Sequence, residues 1–214
     1  MNELNVFVSV GGTATAQQEA FVRAVEDRLR SEGLIPHTVG RNTFSADAPL
    51  KAITELLDKC SGTLVIALER MYFASGIEKR GGPTESSLSD TRLPTPWNQI
   101  EAAMAYSRGH PLMVIVESGL KSEGLLERGN DWYVQSVKPD HTALNTTEFN
   151  GVLASWKQKM FQAPKKLSPT KAPSEFTVAE LIGGLKATQL WSVLGALAVL
   201  VGGAFALGGK LFGG

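Results

Sequence analysis

Glu101 follows Trp97 by four residues in the run PWNQIEAAMAY. On a helix that spacing puts both side chains on one face. The expected apolar stripe is Trp97, Ile100, Met104 and Ala105, so the Glu101 carboxylate is expected to share it instead of facing solvent. A carboxylate so placed must be paired, desolvated or used. Beneath ligand-binding loops it could stabilise an oxocarbenium-like ribose during glycosidic cleavage, or attack the sugar as a nucleophile. The alternative is a structural glutamate at the edge of the stripe, bonded to Arg70, Arg41 or a backbone donor.

Other residue types are less informative. Gly11-Gly12 follows an apolar run and could bring backbone amides close to a phosphate, although a plain tight turn fits equally well. The single cysteine, Cys60, rules out an internal disulfide and closes a helical pattern where small buried residues are usual. His37, His110 and His141 are far apart in sequence, so no metal site is expected. Lys+Arg and Asp+Glu are both 21. That balance gives no basic surface for nucleic acid, which is not expected as a partner.

The elements that must position Glu101 can be read from periodicity. Val6 to Val10 is a short apolar run ending in a glycine turn, and Thr13 to Thr15 supplies a helix cap. Phe21, Val25 and Leu29 recur every four residues, with Gly33 placed to end that helix. Ile35 to Val39 is a weaker strand, and Leu50 to Cys60 repeats the helical spacing. Thr63 to Leu68 and Pro111 to Glu117 read as buried strands. Gly76 to Pro96 is polar and reads as a long loop over the strand ends. Trp97 to Arg108 is helical, Trp132 to Val137 is a short edge strand, and Asn150 to Phe161 is a final helix.

Strands alternating with helices across connections too long for hairpins predict an α/β doubly wound, mostly parallel sheet covered on both faces. Ligands of such folds sit outside the C-terminal strand edges, here after Val10, Val39, Leu68 and Glu117. Ser9, Gly11, Gly12, Arg41, Phe44, Arg70 and Tyr72 lie on or beside the first three of those segments. With Trp97 they form the expected ligand-binding set, and Glu101 is the expected catalytic residue.

The domain expected over residues 1–162 is followed by a Pro/Lys-rich linker at 163–175 and a mildly amphipathic juxtamembrane segment at 176–186. From Ala187 to Gly209 there are 23 residues without a charge. A helix of that length rises roughly 35 Å at ~1.5 Å per residue, enough to cross a hydrocarbon core of ~30 Å. A single-pass membrane anchor is therefore expected, with the lipid bilayer as a partner. Six lysines from Lys157 to Lys186 precede the span and only Lys210 follows it, which places the N-terminal domain in the cytoplasm. Ala198, Gly202 and Ala206 have the spacing that lets two spans approach closely, in keeping with a homo-oligomer.

The order of parts and the Trp97/Glu101 spacing resemble a bacterial TIR-like domain, a group similar in turn to nucleoside 2-deoxyribosyltransferases. The resemblance covers about residues 4–160 and implies a flavodoxin-like sheet. It puts Arg41 to Pro49 in the place of the loop that gates the site, Tyr72 and Ser75 after the third strand, and Trp97 with Glu101 in the family's tryptophan–glutamate motif. Thr95-Pro96 and Asn98 depart from the serine and cysteine that usually flank that tryptophan. The resemblance implies one of two functions. In one, a membrane-anchored effector binds a nucleotide-type signal, oligomerises and disturbs the bilayer, as in bacterial antiviral defence. In the other, a membrane-tethered NAD glycohydrolase or related nucleotide N-glycosidase uses Glu101, with NAD as substrate and no resident cofactor. A scaffold recruiting another TIR domain is a third reading.

Overall fold

The first apolar run forms β1 (Leu4–Val10), with Val6, Phe7 and Val8 almost completely buried. A computed structural model describes residues 4–162. The linker, the juxtamembrane segment and the apolar segment 187–209 lie outside the described residues, and no described helix is long and apolar enough to cross a membrane. After β1 the chain turns through its glycines into α1 (Ala16–Ser31), whose first turn is capped by the Thr15 hydroxyl accepting from Gln18 N at 3.1 Å. Gly33, at φ 76°, takes the left-handed position beyond the helix end that suits glycine. Next come β2 (Leu34–His37), α2 (Pro49–Leu57) and β3 (Gly62–Ala67).

β1, β2 and β3 join β6 (Leu112–Glu117) and β7 (Tyr133–Val137) in one five-stranded sheet, in the order β2-β1-β3-β6-β7. Every pairing within it is parallel. This is a doubly wound α/β sheet with its switch of direction between β1 and β3. α1 and α4 (Thr147–Gln162) cover one face through Phe21, Leu29, Phe149, Leu153 and Trp156. α2 and α3 (Pro96–Ser107) cover the other through Ile53, Leu57, Ala102 and Ala105. At the N-terminal end of β3 the cover is tight. A Cβ on Gly62 would lie 2.8 Å from Met160 Cγ and 3.3 Å from the Trp156 ring, so only glycine lets α4 sit where it does.

Three expectations are corrected. Gly76 to Pro96 is largely a ribbon, not a loop: β4 (Met71–Glu78) pairs antiparallel with β5 (Ser86–Leu93) outside the main sheet. Most of its residues are exposed, so no buried face wrote an apolar alternation into the sequence. The last helix begins at Thr147, three residues before Asn150, because the Thr146 hydroxyl accepts from Phe149 N at 3.1 Å. The stripe assigned to α3 is only partly buried: Glu101 and Ala105 lie inside and Met104 packs at the edge of the core, but its two large leading residues do not. Trp97 and Ile100 are each 41% exposed, and the buried side is Asn98, Glu101, Ala102 and Ala105. Small residues let the helix approach the sheet closely, which decides the face against the larger apolar side chains.

Candidate active site

The site is built where β1 ends. Ser9, fully buried, is the penultimate residue of β1 and pairs in register with Val65 of β3. The chain then leaves the sheet through Gly11 and Gly12. A Cβ on Gly11 would lie 2.8 Å from Thr95 Cγ2, so the turn runs directly against the start of α3. Thr95 is the N-cap of that helix. Arg70, three residues beyond β3, donates from Nη1 to the Gly12 carbonyl at 3.3 Å. The glycine turn, the end of β3 and the first turn of α3 thereby converge over the switch point.

Asn98 ties them together. Its Nδ2 reaches Ser9 Oγ at 3.0 Å, Ser9 O at 3.3 Å and Ile66 O at 3.4 Å, spanning β1 and β3 from the helix above. Its Oδ1 is buried without a donor. Glu101 comes one turn later on the same side of α3 and is 9% exposed. Burial pushes its carboxyl up to about 7, against the opposing effect of a hydrogen bond with the Ser9 side chain. No cation figures among the causes of that shift. Around neutral pH a small change in surroundings therefore moves this group between a proton-holding acid and a carboxylate.

The expected structural partners of Glu101 are engaged elsewhere. Arg41 grips Glu19 bidentately, at 2.9 and 3.0 Å, and lies 3.4 Å from Glu26, which binds the loop after β2 to α1. Arg41, with help from Arg23 and Thr13, holds the Glu19 carboxyl down to about 2. Arg70 is spent on the Gly12 carbonyl. Neither neutralises Glu101.

Of the expected set, Ser9, Gly11, Gly12, Arg70 and Glu101 are brought together. Trp97 stands on the first turn of α3 beside them, with its indole turned outward. Arg41 is committed to α1. Phe44 is 78% exposed in the loop before α2. Tyr72 belongs to the ribbon, where its hydroxyl donates to Asp90 at 2.6 Å.

Two groups have no role in the site that the sequence predicts, although one of them is named there as a departure from the family's motif. One is Asn98, which lies three residues before Glu101 and so on the same helical face. The other is the knot behind the glycine turn. Glu117, the last residue of β6, accepts from Glu69 N at 2.8 Å and Gln18 Nε2 at 3.3 Å. Gln18 also accepts from Ala14 N at 2.8 Å and donates to Glu69 O at 3.1 Å. These bonds fix the loop after β1 against the ends of β3 and β6, and no local pattern encodes contacts of such long range. Among the described residues no group of three or more His, Cys, Asp or Glu is placed to hold a metal ion.

Two surface hollows lie away from Glu101. One, of about 370 Å³, is lined by Arg28, Glu32, Lys157 and neighbours between α1 and α4. The other, of about 470 Å³, lies against β7.

Neither a protein-family model nor a curated protein matches this sequence. Among solved structures the chain is similar to the CMP N-glycosidase of Clostridium botulinum, at 16% identity and a TM-score of 0.36, over 64% of this chain and 91% of that one.

Proposed function

We propose that this chain is a nucleotide N-glycosidase, with NAD as the first substrate to test and Glu101 as its catalytic carboxylate. The observation that carries the reading is a buried glutamate with no cationic partner, pushed up to about 7, at the switch point of a parallel sheet. Nothing in the packing calls for a charge there, and desolvating one is costly unless it is used.

In the reaction the bond between ribose C1′ and the base nitrogen breaks, and its electron pair leaves with the base. The ionised Glu101 carboxylate faces the electron-poor C1′, stabilising the oxocarbenium-like sugar or bonding to it. Water then adds at C1′, breaking any C1′–Glu101 bond with return of its electron pair to the carboxylate, and its proton passes to solvent or to the departed base. Desolvation strengthens the attraction between the carboxylate and the developing positive charge, so the feature that makes ionisation costly in the free protein favours it beside the transition state. Ser9 orients the carboxylate and Asn98 holds Ser9. Arg70, exposed and with donors beyond the one that holds the Gly12 carbonyl, would meet a phosphate together with the glycine turn, and Trp97 would stack on a base.

The apolar segment 187–209 supports the further proposal that the domain is tethered to a membrane, on the cytoplasmic side and as a homo-oligomer. A signal-binding effector that disturbs the bilayer, as in antiviral defence, is the second reading, and the same segment is what favours it. One experiment separates the two: NAD consumption by the full-length protein in detergent, beside Glu101→Gln. Turnover in the wild type alone supports the enzyme. Intact NAD with both proteins in a demonstrated oligomer overturns NAD as the substrate. Intact nucleoside monophosphates as well would make Glu101 a binding residue.

A further inference from the structure

The hollow of about 470 Å³ against β7 is separate from the proposed active site. It is lined by Gln17 at the start of α1, by Gln135, Ser136 and Lys138 at the end of β7, and by Asp140 and Glu148 around the turn into α4. Gln135 and Val137 share one side of the strand, and Val137 packs in the core beneath α1 and α4. Glu101 lies under α3 on the opposite face, where Val134 and Ala102 pack together. The hollow therefore opens by the C-terminal end of an edge strand, on the other side of the sheet.

Gln135 is the anomaly. It is only 3% exposed, yet its Oε1 meets no hydrogen-bond donor. Three of its polar neighbours have partners within the protein. Asp140 accepts from Thr142 N at 2.8 Å, Glu148 accepts from the Tyr133 hydroxyl, and the Thr146 hydroxyl donates to Ala143 O at 3.1 Å. A buried acceptor without a donor is the group that a ligand N–H or O–H would satisfy.

We propose that this hollow is a second small-molecule site, taking an unphosphorylated, donor-rich molecule of nucleoside size that donates a hydrogen bond to the Gln135 side-chain oxygen. Its volume falls within the ~300–1,000 Å³ of small-molecule sites. The lining carries two carboxylates, Asp140 and Glu148, and one ammonium, Lys138. That balance repels a phosphate and favours hydroxyl and amino groups. Hydrogen bonds from the Thr142 side chain and backbone hold the Asp140 carboxyl below its usual range, so it stays an acceptor at neutral pH. An amino-bearing base on a ribose fits this lining. Its exocyclic N–H can serve Gln135, an amide that pairs well with adenine edges, while the ribose hydroxyls serve the carboxylates.

The test is a titration of the full-length protein in detergent with adenosine and, separately, with its 5′-monophosphate, followed by calorimetry and by melting temperature. It is run on the wild type, Glu101→Gln, Gln135→Leu and Gln17→Trp. The expected result is saturable adenosine binding in the wild type and undiminished in Glu101→Gln, with the monophosphate weaker. Gln135→Leu should weaken adenosine by about tenfold or more. Gln17→Trp, an exposed change at the start of α1 that fills the hollow from outside, should do the same if Gln135→Leu fails to fold. Adenosine binding unchanged in both variants, binding lost in Glu101→Gln, or no binding to the wild type at millimolar adenosine would each overturn the proposal.

Discussion

Replacing Glu101 with glutamine should stabilise the protein, and by an amount that depends on pH. The carboxyl is held at about 7 in the fold against an ordinary 4.5. At ~1.36 kcal/mol per pH unit that difference is about 3 kcal/mol. The sign follows from proton binding. Between pH 4.5 and 7 the folded state holds the Glu101 proton and the unfolded chain does not, so raising the pH favours unfolding. The full stability is present below about 4.5, declines through the interval and levels off above about 7. Glutamine keeps the shape and an oxygen for the Ser9 hydrogen bond but carries no proton to lose. The variant and wild type should therefore melt together near pH 4.5, and above pH 7 the variant should be about 3 kcal/mol more stable. For a domain of this size that is about 6–12 °C in Tm.

The assay is thermal unfolding of the full-length chain in detergent, followed by tryptophan fluorescence at pH values from 4.5 to 8.5. Trp156, buried between α4 and the sheet with its Nε1 donating to Pro111 O at 2.9 Å, should report loss of the core. Glu19 and Glu32 have lowered carboxyls, so their contributions act at more acid pH and cancel in the difference between the two proteins. A gap that is the same at pH 5 and pH 8 would show that Glu101 is already ionised at pH 5, refuting the desolvation argument and the chemistry built on it. Turnover should show the complementary profile, with kcat/KM rising through about pH 7 as the carboxylate forms.

Other perturbations separate the site from the scaffold. Asn98→Ala should cost about 1–3 kcal/mol in urea unfolding by leaving buried acceptors on Ser9 and Ile66 unpaired, and should lower kcat by loosening Ser9. Arg41→Ala should leave NAD turnover unchanged, because the side chain serves Glu19 and Glu26. It should instead lower stability by about 1 kcal/mol, a loss seen above pH 4.5 that fades as the pH falls towards 2 and Glu19 takes up its proton. Gly62→Ala should cost about 1–3 kcal/mol by pressing a methyl group into Met160, with turnover per folded molecule unchanged. Thr15→Ala removes the cap of α1 and should cost about 1 kcal/mol, read as a lower Tm.

Most of the fold was legible because its determinants are local. The apolar runs that became β1, β3 and β6 are buried on both sides, so they read as continuous apolar blocks, and the four-residue recurrence in α1 marks a helix lying on a sheet. The ribbon was missed for the opposite reason. Pairs such as Ser75 with Ser89 and Ile77 with Ser87 face no core, so its strands are specified by pairing with each other, which single-sequence periodicity does not register. Tyr72 was expected at the site because it follows a sheet strand. The same position in a ribbon instead sends its hydroxyl to Asp90.

Glu101 is buried, as its spacing predicts, but not in the company that spacing predicts. The four-residue spacing predicts Trp97 and Glu101 in one apolar stripe, yet α3 turns its tryptophan outward and buries its glutamate beside Asn98. Alanines at 102 and 105 explain the difference, since a helix pressed close to β1 and β3 has room for methyl groups but not for an indole. The consequence bears on chemistry. A glutamate in an apolar stripe would be desolvated and without hydrogen bonds, whereas this one is desolvated but oriented by Ser9, whose hydroxyl is held in turn by Asn98. In the proposed reaction, burial would supply the driving force for the carboxylate to meet a cationic sugar, and the Asn98–Ser9 relay would fix the direction in which it does so. Ser9→Ala should separate the two effects. With the hydrogen bond gone and burial kept, the Glu101 carboxyl should move above its present value, because that bond is what lowers it. The pH profile of kcat/KM should then shift to the alkaline side, and the plateau should fall as the carboxylate loses its aim. An unshifted profile with a lower plateau would leave orientation as the only role of Ser9.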